Sequence, residues 1–215
     1  MKLQTVFLVT IICISIMKTD AQVPDKALVG EYDLEGVMEV GSGILLKEDH
    51  TFEIFFSYGS LDKSGTGTWA KKDSFIILNS ATRPANDFRL TSSKKTGDKG
   101  ITIKVSDPNT NILRYMACII SGKGFSDTVE ADENGMIHFD KSGVDSIGLV
   151  HEMFSDRICY FDISKSSDNY FEFGIEPWIM NIYCNNLVLT INDGYLEGMH
   201  PMLEPNKIYT YRKAK

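Results

Sequence analysis

From residue 30 onward, apolar and polar positions alternate in short runs broken by turn residues, a period of two that predicts strands rather than helices. Residues 30–34 open the first strand and residues 37–40 a short second one. Residues 44–47 lead into Glu48, Asp49 and His50 and out through residues 51–56, which predicts a hairpin with Asp49 and His50 near its tip. Residues 64–69 and 75–78 supply two more strands. Gly65 and Gly67 leave room for a neighbouring strand or a large side chain to come close, with Trp69 as a core anchor.

The alternation lapses between residues 79 and 100. Residues 80–87 break strands and residues 92–100 are polar and glycine-bearing, with a short bridging strand at 88–90. A domain boundary is therefore expected near residues 84–86, dividing the chain into 22–84 and 85–215. The second part opens with the alternating run 101–105, a turn at 107–111 and a strand at 114–120. Residues 128–131 and 136–139 flank Asn134-Gly135, the strongest hairpin signal in the chain, and predict a type I′ turn. Residues 146–150, 157–163, 170–175, 187–191 and 208–211 complete an all-β chain.

The start of the chain follows a different pattern. Met1 and Lys2 are followed by an almost uninterrupted apolar run over residues 6–17, and Thr19 and Ala21 stand at the −3 and −1 positions of a cleavage site before Gln22. That run is shorter than the ~20 apolar residues a membrane span needs. Residues 1–21 are read as a signal peptide, which gives an exported, periplasmic or extracellular protein with no transmembrane segment after its removal. Without Lys2, Lys18 and Asp20, the 22 basic and 29 acidic residues become 20 and 28, a formal charge of −8. An acidic balance of this size argues against nucleic acid or anionic lipid as partner, since both attract basic patches. Cys13 lies in the signal and follows Ile11-Ile12, a poor lipidation context. Cys118, Cys159 and Cys184 remain, an odd number that allows at most one intrachain disulfide.

Residues 29–79 resemble the small lipocalin-like domains of exported bacterial proteins. The resemblance rests on Gly30-x-Tyr32, Leu46-x-x-Asp49-x-Thr51-Phe52 and Gly65-x-Gly67-x-Trp69. Residues 101–150 are similar to transthyretin-like and carboxypeptidase-regulatory-like sandwich modules, through Ile101-x-Ile103-x-Val105-x-Asp107 and Thr128-x-x-Ala131-Asp132-x-Asn134-Gly135-x-Ile137-x-Phe139. These resemblances imply a lipocalin-like antiparallel barrel or meander followed by a transthyretin-like (Ig-like) β-sandwich, with a binding or structural role at the cell envelope. The first half alone is too short for the eight strands of a ligand-enclosing calyx.

Candidate chemistry is sparse. Met199-His200-Pro201-Met202 combines thioether sulfur with imidazole, a donor set suited to Cu(I), and His151-x-Met153 and Met180 are possible additions. Asp132-x-Asn134-Gly135 begins like a calcium loop but lacks the later acidic ligands, and a tight turn is the simpler reading. None of the cysteines sits in a nucleophile motif, and no Gly-x-Ser-x-Gly elbow is present. No catalytic residue and no cofactor is implied. Trp178, Ile179 and Met180 form a short apolar string that would bind a partner if exposed, or cap a core edge if not. The expectation is a non-catalytic exported binding or structural protein. Its contacts, with an unknown protein or small ligand, would lie in turns around residues 48–51, 132–135 and 176–180. The alternative is a periplasmic small-ligand or Cu(I) carrier using Met199, His200 and Met202.

Overall fold

The computed structural model describes residues 24–154 and 156–215, so the expected signal segment lies outside the described residues. After a one-turn helix, Asp25–Leu28, the chain forms β1 (Gly30–Leu34), β2 (Val40–Leu46), β3 (Thr51–Tyr58), β4 (Leu61–Lys72) and β5 (Phe75–Asn79). Then come β6 (Phe88–Lys94), β7 (Ile101–Ser106), β8 (Met116–Gly122), β9 (Phe125–Glu130), β10 (Met136–Phe139), β11 (Val144–His151), β12 (Cys159–Asp162) and β13 (Tyr170–Ile175). The chain ends with β14 (Leu187–Asn192), β15 (Tyr195–Gly198) and β16 (Tyr209–Lys213).

Eight of these strands close a lipocalin-like antiparallel barrel in the order β1-β16-β15-β14-β5-β4-β3-β2. The first half of the chain is indeed too short for it, and the last three strands make up the shortfall. Tyr32 of β1 is paired on one side with Lys213 of β16 and on the other with Ile44 of β2, so the first and last strands meet at the closing seam. Strands β14 to β16, which the linear division near residues 84–86 placed with the second part, belong to the barrel sheet.

Alternation decides what the barrel contains. Ile44, Leu46, Phe52, Ile54, Trp69, Ile76, Leu78, Leu189, Leu196 and Tyr211 are all at most 2% exposed and form one contiguous core. A lumen able to hold a ligand would leave accessible area on these side chains, so the interior is a packed core and not an open calyx. On β3 the intervening Glu53 and Phe55 face outward, and β4 places Asp62, Ser64, Thr66 and Thr68 outside. This apolar-in, polar-out order is the reverse of the one that lipid imposes on a barrel.

The two remaining sheets are four-stranded, β10-β7-β13-β6 and β12-β11-β8-β9. Ile103, Val105, Phe171 and Phe173 from the first meet Cys118, Ile120, Ile147 and Leu149 from the second in a single core. Strands β7 and β13 run parallel, and the other pairings are antiparallel.

Two local expectations need correction. Residues 37–39 are not a strand: Val37 precedes a turn, Glu39 has φ 63°, and only Val40 begins β2. Asn134-Gly135 forms a tight turn, but β9 pairs with β8 and β10 with β7, so the turn carries the chain from one sheet to the other. Only Gly135 has positive φ there (75°), whereas a type I′ turn needs it at both central residues. The Asp132 carboxylate accepts from the backbone N–H groups of Asn134 and Met136, which fixes the corner and occupies the side chain suggested for calcium. The hairpin at Asp49 and His50 forms as expected, with His50 at φ 62° and Asp49 bonded to Thr51.

Gly65 and Gly67 do admit close neighbours. A Cβ on Gly65 would lie 2.2 Å from the carbonyl oxygen of Ile182, and one on Gly67 would lie 2.2 Å from the carbonyl oxygen of Asn79 and 2.6 Å from the Phe52 ring. Residues 181–184 run beside the first half of β4 there, with Ile182 N–H donating to the Ser64 carbonyl at 2.7 Å. Gly65→Ala is therefore expected to cost about 1–3 kcal/mol, the range for overpacking against a neighbour that cannot yield. An unchanged urea midpoint for that variant would show that the crossing segment shifts freely.

Candidate functional site

One end of the barrel breaks the apolar rule. Ser42 lies opposite Phe56, and Phe56 opposite Lys63, so β2, β3 and β4 present these three side chains inward in one row. Lys63 is only 8% exposed, and its Nζ donates to the Phe154 carbonyl at 2.7 Å. Burial drives its pKa down, opposed by the charges of Asp156 and Asp87 and reinforced by that of Arg83. This row closes against the other core. Leu61 packs on both hydrophobic clusters, and between Ile179 and Ile182 the chain crosses from one to the other.

A cavity of about 280 Å³ opens at this junction. Lys63 and Arg83 line it together with Met153, Phe154, Tyr183 and Met202, and Asp156 stands at the same wall. Two turns of identical design form part of its rim. In one, Met202 N–H donates to Nδ1 of His200 at 3.0 Å, and in the other Met153 N–H donates to Nδ1 of His151 at 3.2 Å. A backbone N–H can only donate, so each ring carries its proton on Nε2. That proton goes from His200 to Ser42 Oγ at 2.9 Å, and from His151 to the Ile112 carbonyl at 3.0 Å. Burial pushes the His200 pKa down to about 4 and lowers that of His151 as well.

This tautomer settles what Ser42 and His200 do chemically. Ser42 Oγ donates to the Phe55 carbonyl and accepts from His200, so the imidazole has no lone pair directed at the hydroxyl. A base-activated serine needs the opposite polarity. The pair is a hydrogen-bonded brace between β2 and the turn after β15.

The residues singled out from sequence fall around this junction in different ways. His200 is buried at 3% exposure, Met199 is exposed, and Met202 is half-buried on the cavity wall. Both His200 nitrogens are engaged, so a Cu(I) ion would have to displace Met202 N–H or Ser42. Trp178, Ile179 and Met180 form a one-turn 3-10 helix. Ile179 is buried, Trp178 and Met180 are half-buried, and Trp178 Nε1 donates to the Asn86 carbonyl at 2.8 Å. Cys118, Cys159 and Cys184 are buried free thiols, and burial pushes Cys118 and Cys184 up to about 12.

Lys63, Arg83 and Asp156 were missed from the sequence. One signal was available, since Lys63 stands two residues before Gly65 on the inward-facing register of Gly65, Gly67 and Trp69. Arg83 gave none, because its role depends on where the loop after β5 lands. Its Nη2 reaches Asp87 at 2.8 Å and its Nη1 reaches Asp156 at 2.5 Å, while Arg157 holds the same Asp87 carboxylate at 2.6 and 3.0 Å. Asp87 is fully buried, so two arginines from different loops enclose one carboxylate behind the cavity.

No known protein family, curated protein or solved structure matches this chain. Among the described residues, no group of three or more His, Cys, Asp or Glu is placed to hold a metal ion, and no helix is long and apolar enough to cross a membrane.

Proposed function

We propose that the protein is a non-catalytic binding protein, exported to the cell envelope or beyond it, that takes its ligand at the mouth of the barrel. The cavity lined by Lys63 carries this reading. A packed barrel end is normally apolar or solvated, and a lysine buried there beside open space is a costly arrangement without a binding partner. The site lies between two separately packed cores, where ligand pockets commonly form. The hydrogen-bonded Ser42–His200 brace supports a structural and not a nucleophilic use of the only buried serine–histidine contact described. The signal-like start of the chain supports export, and the two sheets around one core support a transthyretin-like sandwich beside the barrel.

The small-ligand reading is favoured over the Cu(I) carrier because the cavity holds a buried lysine beside apolar side chains, while both rim imidazoles are occupied by hydrogen bonds. Native mass spectrometry of the protein taken from its own exporting host tests the proposal. The expected spectrum has Gln22 at the N-terminus and a reproducible extra mass, absent from a Leu203→Trp variant whose indole fills the cavity. A chain that retains residues 1–21, or a wild type as bare as the variant, would contradict export or ligand carriage respectively.

A further inference from the structure

Lys63 is a buried lysine at a partly open cavity, and its hydrogen-bond partner among the described residues, the Phe154 carbonyl, is neutral. Its Nζ has three protons to donate, and one goes to the Phe154 carbonyl. Among the described residues no carboxylate lies within ion-pair distance of it. The nearest acidic wall residue, Asp156, is bound to Arg83. Arg83 adds a second cation to the cavity lining, and its Nε is buried with no hydrogen-bond partner among the described residues. Met153, Phe154, Ile182, Met202 and Leu203 supply the apolar part of the lining, and Asp156 and Asn181 add polar groups to it. A volume of 280 Å³ corresponds to roughly nine water molecules, and so to a ligand of about ten non-hydrogen atoms.

From this arrangement we infer that the cavity binds a small organic monocarboxylate, its head group on Lys63 Nζ and its hydrocarbon body between Met153 and Met202. The inference rests on the reading of the barrel mouth as a ligand site and adds the chemical class. A carboxylate supplies the charge-assisted acceptor that the buried ammonium lacks. A neutral alcohol fills the apolar part and leaves the lysine uncompensated. An inorganic anion satisfies the lysine and leaves the methionine wall bare. An amine places like charges together and is excluded. Binding a carboxylate also favours the protonated lysine, which opposes the downward shift that burial imposes on Lys63.

Hexanoate, hexanol, hexylamine and inorganic phosphate, titrated separately into the full mature chain at pH 7, discriminate these classes. The readouts are the methyl resonances of Met153 and Met202, with exposed Met38 as the control, and the Nζ resonance of Lys63. Hexanoate is expected to move both cavity methyls and raise the Lys63 pKa, with hexanol at least about tenfold weaker. Lys63→Met, checked for folding by circular dichroism, is expected to lose hexanoate binding by a similar factor and to keep hexanol binding. Equal affinity for hexanoate and hexanol, unchanged by Lys63→Met, overturns the carboxylate class and leaves the ligand site standing. Phosphate binding in preference to hexanoate also overturns it. If no probe moves either methyl, and Leu203→Trp changes no spectrum but its own neighbours', the monocarboxylate and the ligand site both fall.

Discussion

Asp87→Ala is expected to lower the stability of the protein by about 3 kcal/mol, seen as a fall in the urea midpoint at unchanged m-value. Asp87 is fully buried and accepts from Arg83 at 2.8 Å and from Arg157 at 2.6 and 3.0 Å. Removing it leaves two guanidinium groups facing each other in a half-closed site. Breaking a buried pair commonly costs 3–5 kcal/mol, and the lower end applies because the arginine side chains keep 21% and 28% of their exposure and reach water. The loss is also topological. Arg157 donates to the Pro84 carbonyl, Asp87 N–H approaches the Cys159 sulfur, and Glu176 N–H donates to the Asp87 carbonyl. These contacts hold the linker between β5 and β6 against the turn before β12 and the end of β13. Asp87→Asn keeps the shape and some of the hydrogen bonds, so its cost should be smaller. A loss of less than about 1 kcal/mol for alanine, the level of an exposed ion pair, would mean that the arginines find other partners.

Acid is expected to weaken the fold between pH 6.5 and 4, by about 3 kcal/mol at the lower end, through His200. The unfolded chain takes up a proton at this residue near pH 6.5, whereas the folded chain resists until about pH 4. Over that interval the unfolded state binds more protons, so stability is full above pH 6.5 and falls as pH falls. The physical cause is twofold. Burial disfavours the imidazolium, and a proton on Nδ1 would point at the Met202 N–H that now donates to it. His151 is perturbed in the same direction and adds to the slope. The carboxylates held low, Asp49, Asp156 and Asp162, act below this window. Urea midpoints at pH 7, 5.5 and 4.5 for wild type and His200→Gln check the assignment. The variant should show a distinctly shallower decline, and parallel curves would assign the acid sensitivity elsewhere.

The two glycines before Trp69 illustrate what was legible at the level of a strand. Their spacing announced a close approach, and Phe52 and Asn79 at Gly67, with Ile182 at Gly65, are the groups that approach. The asparagine–glycine pair illustrates the limit. Its turn formed, but which strands paired on either side depended on the sheets that β8 and β7 had already offered. His200 shows the same limit in a site. Its neighbouring methionines suggested a soft metal, whereas Ser42, 158 residues away in sequence, takes the second nitrogen.

The all-β character of the chain and the apolar faces of most strands were legible from residue order alone, because a period of two is a local property that burial on one side enforces. It also carried the export-type start and the acidic balance, which are read without any fold. The rest followed from contacts between segments far apart in the chain. Whether eight strands close depended on β14 to β16 returning more than a hundred residues after β5 to pair with it, with β1 and with one another. Whether Lys63 would face water or a cavity depended on residues 153–154 and 181–183 arriving over the barrel mouth. Alternation specifies the direction in which a side chain points, and only long-range packing specifies what it meets there.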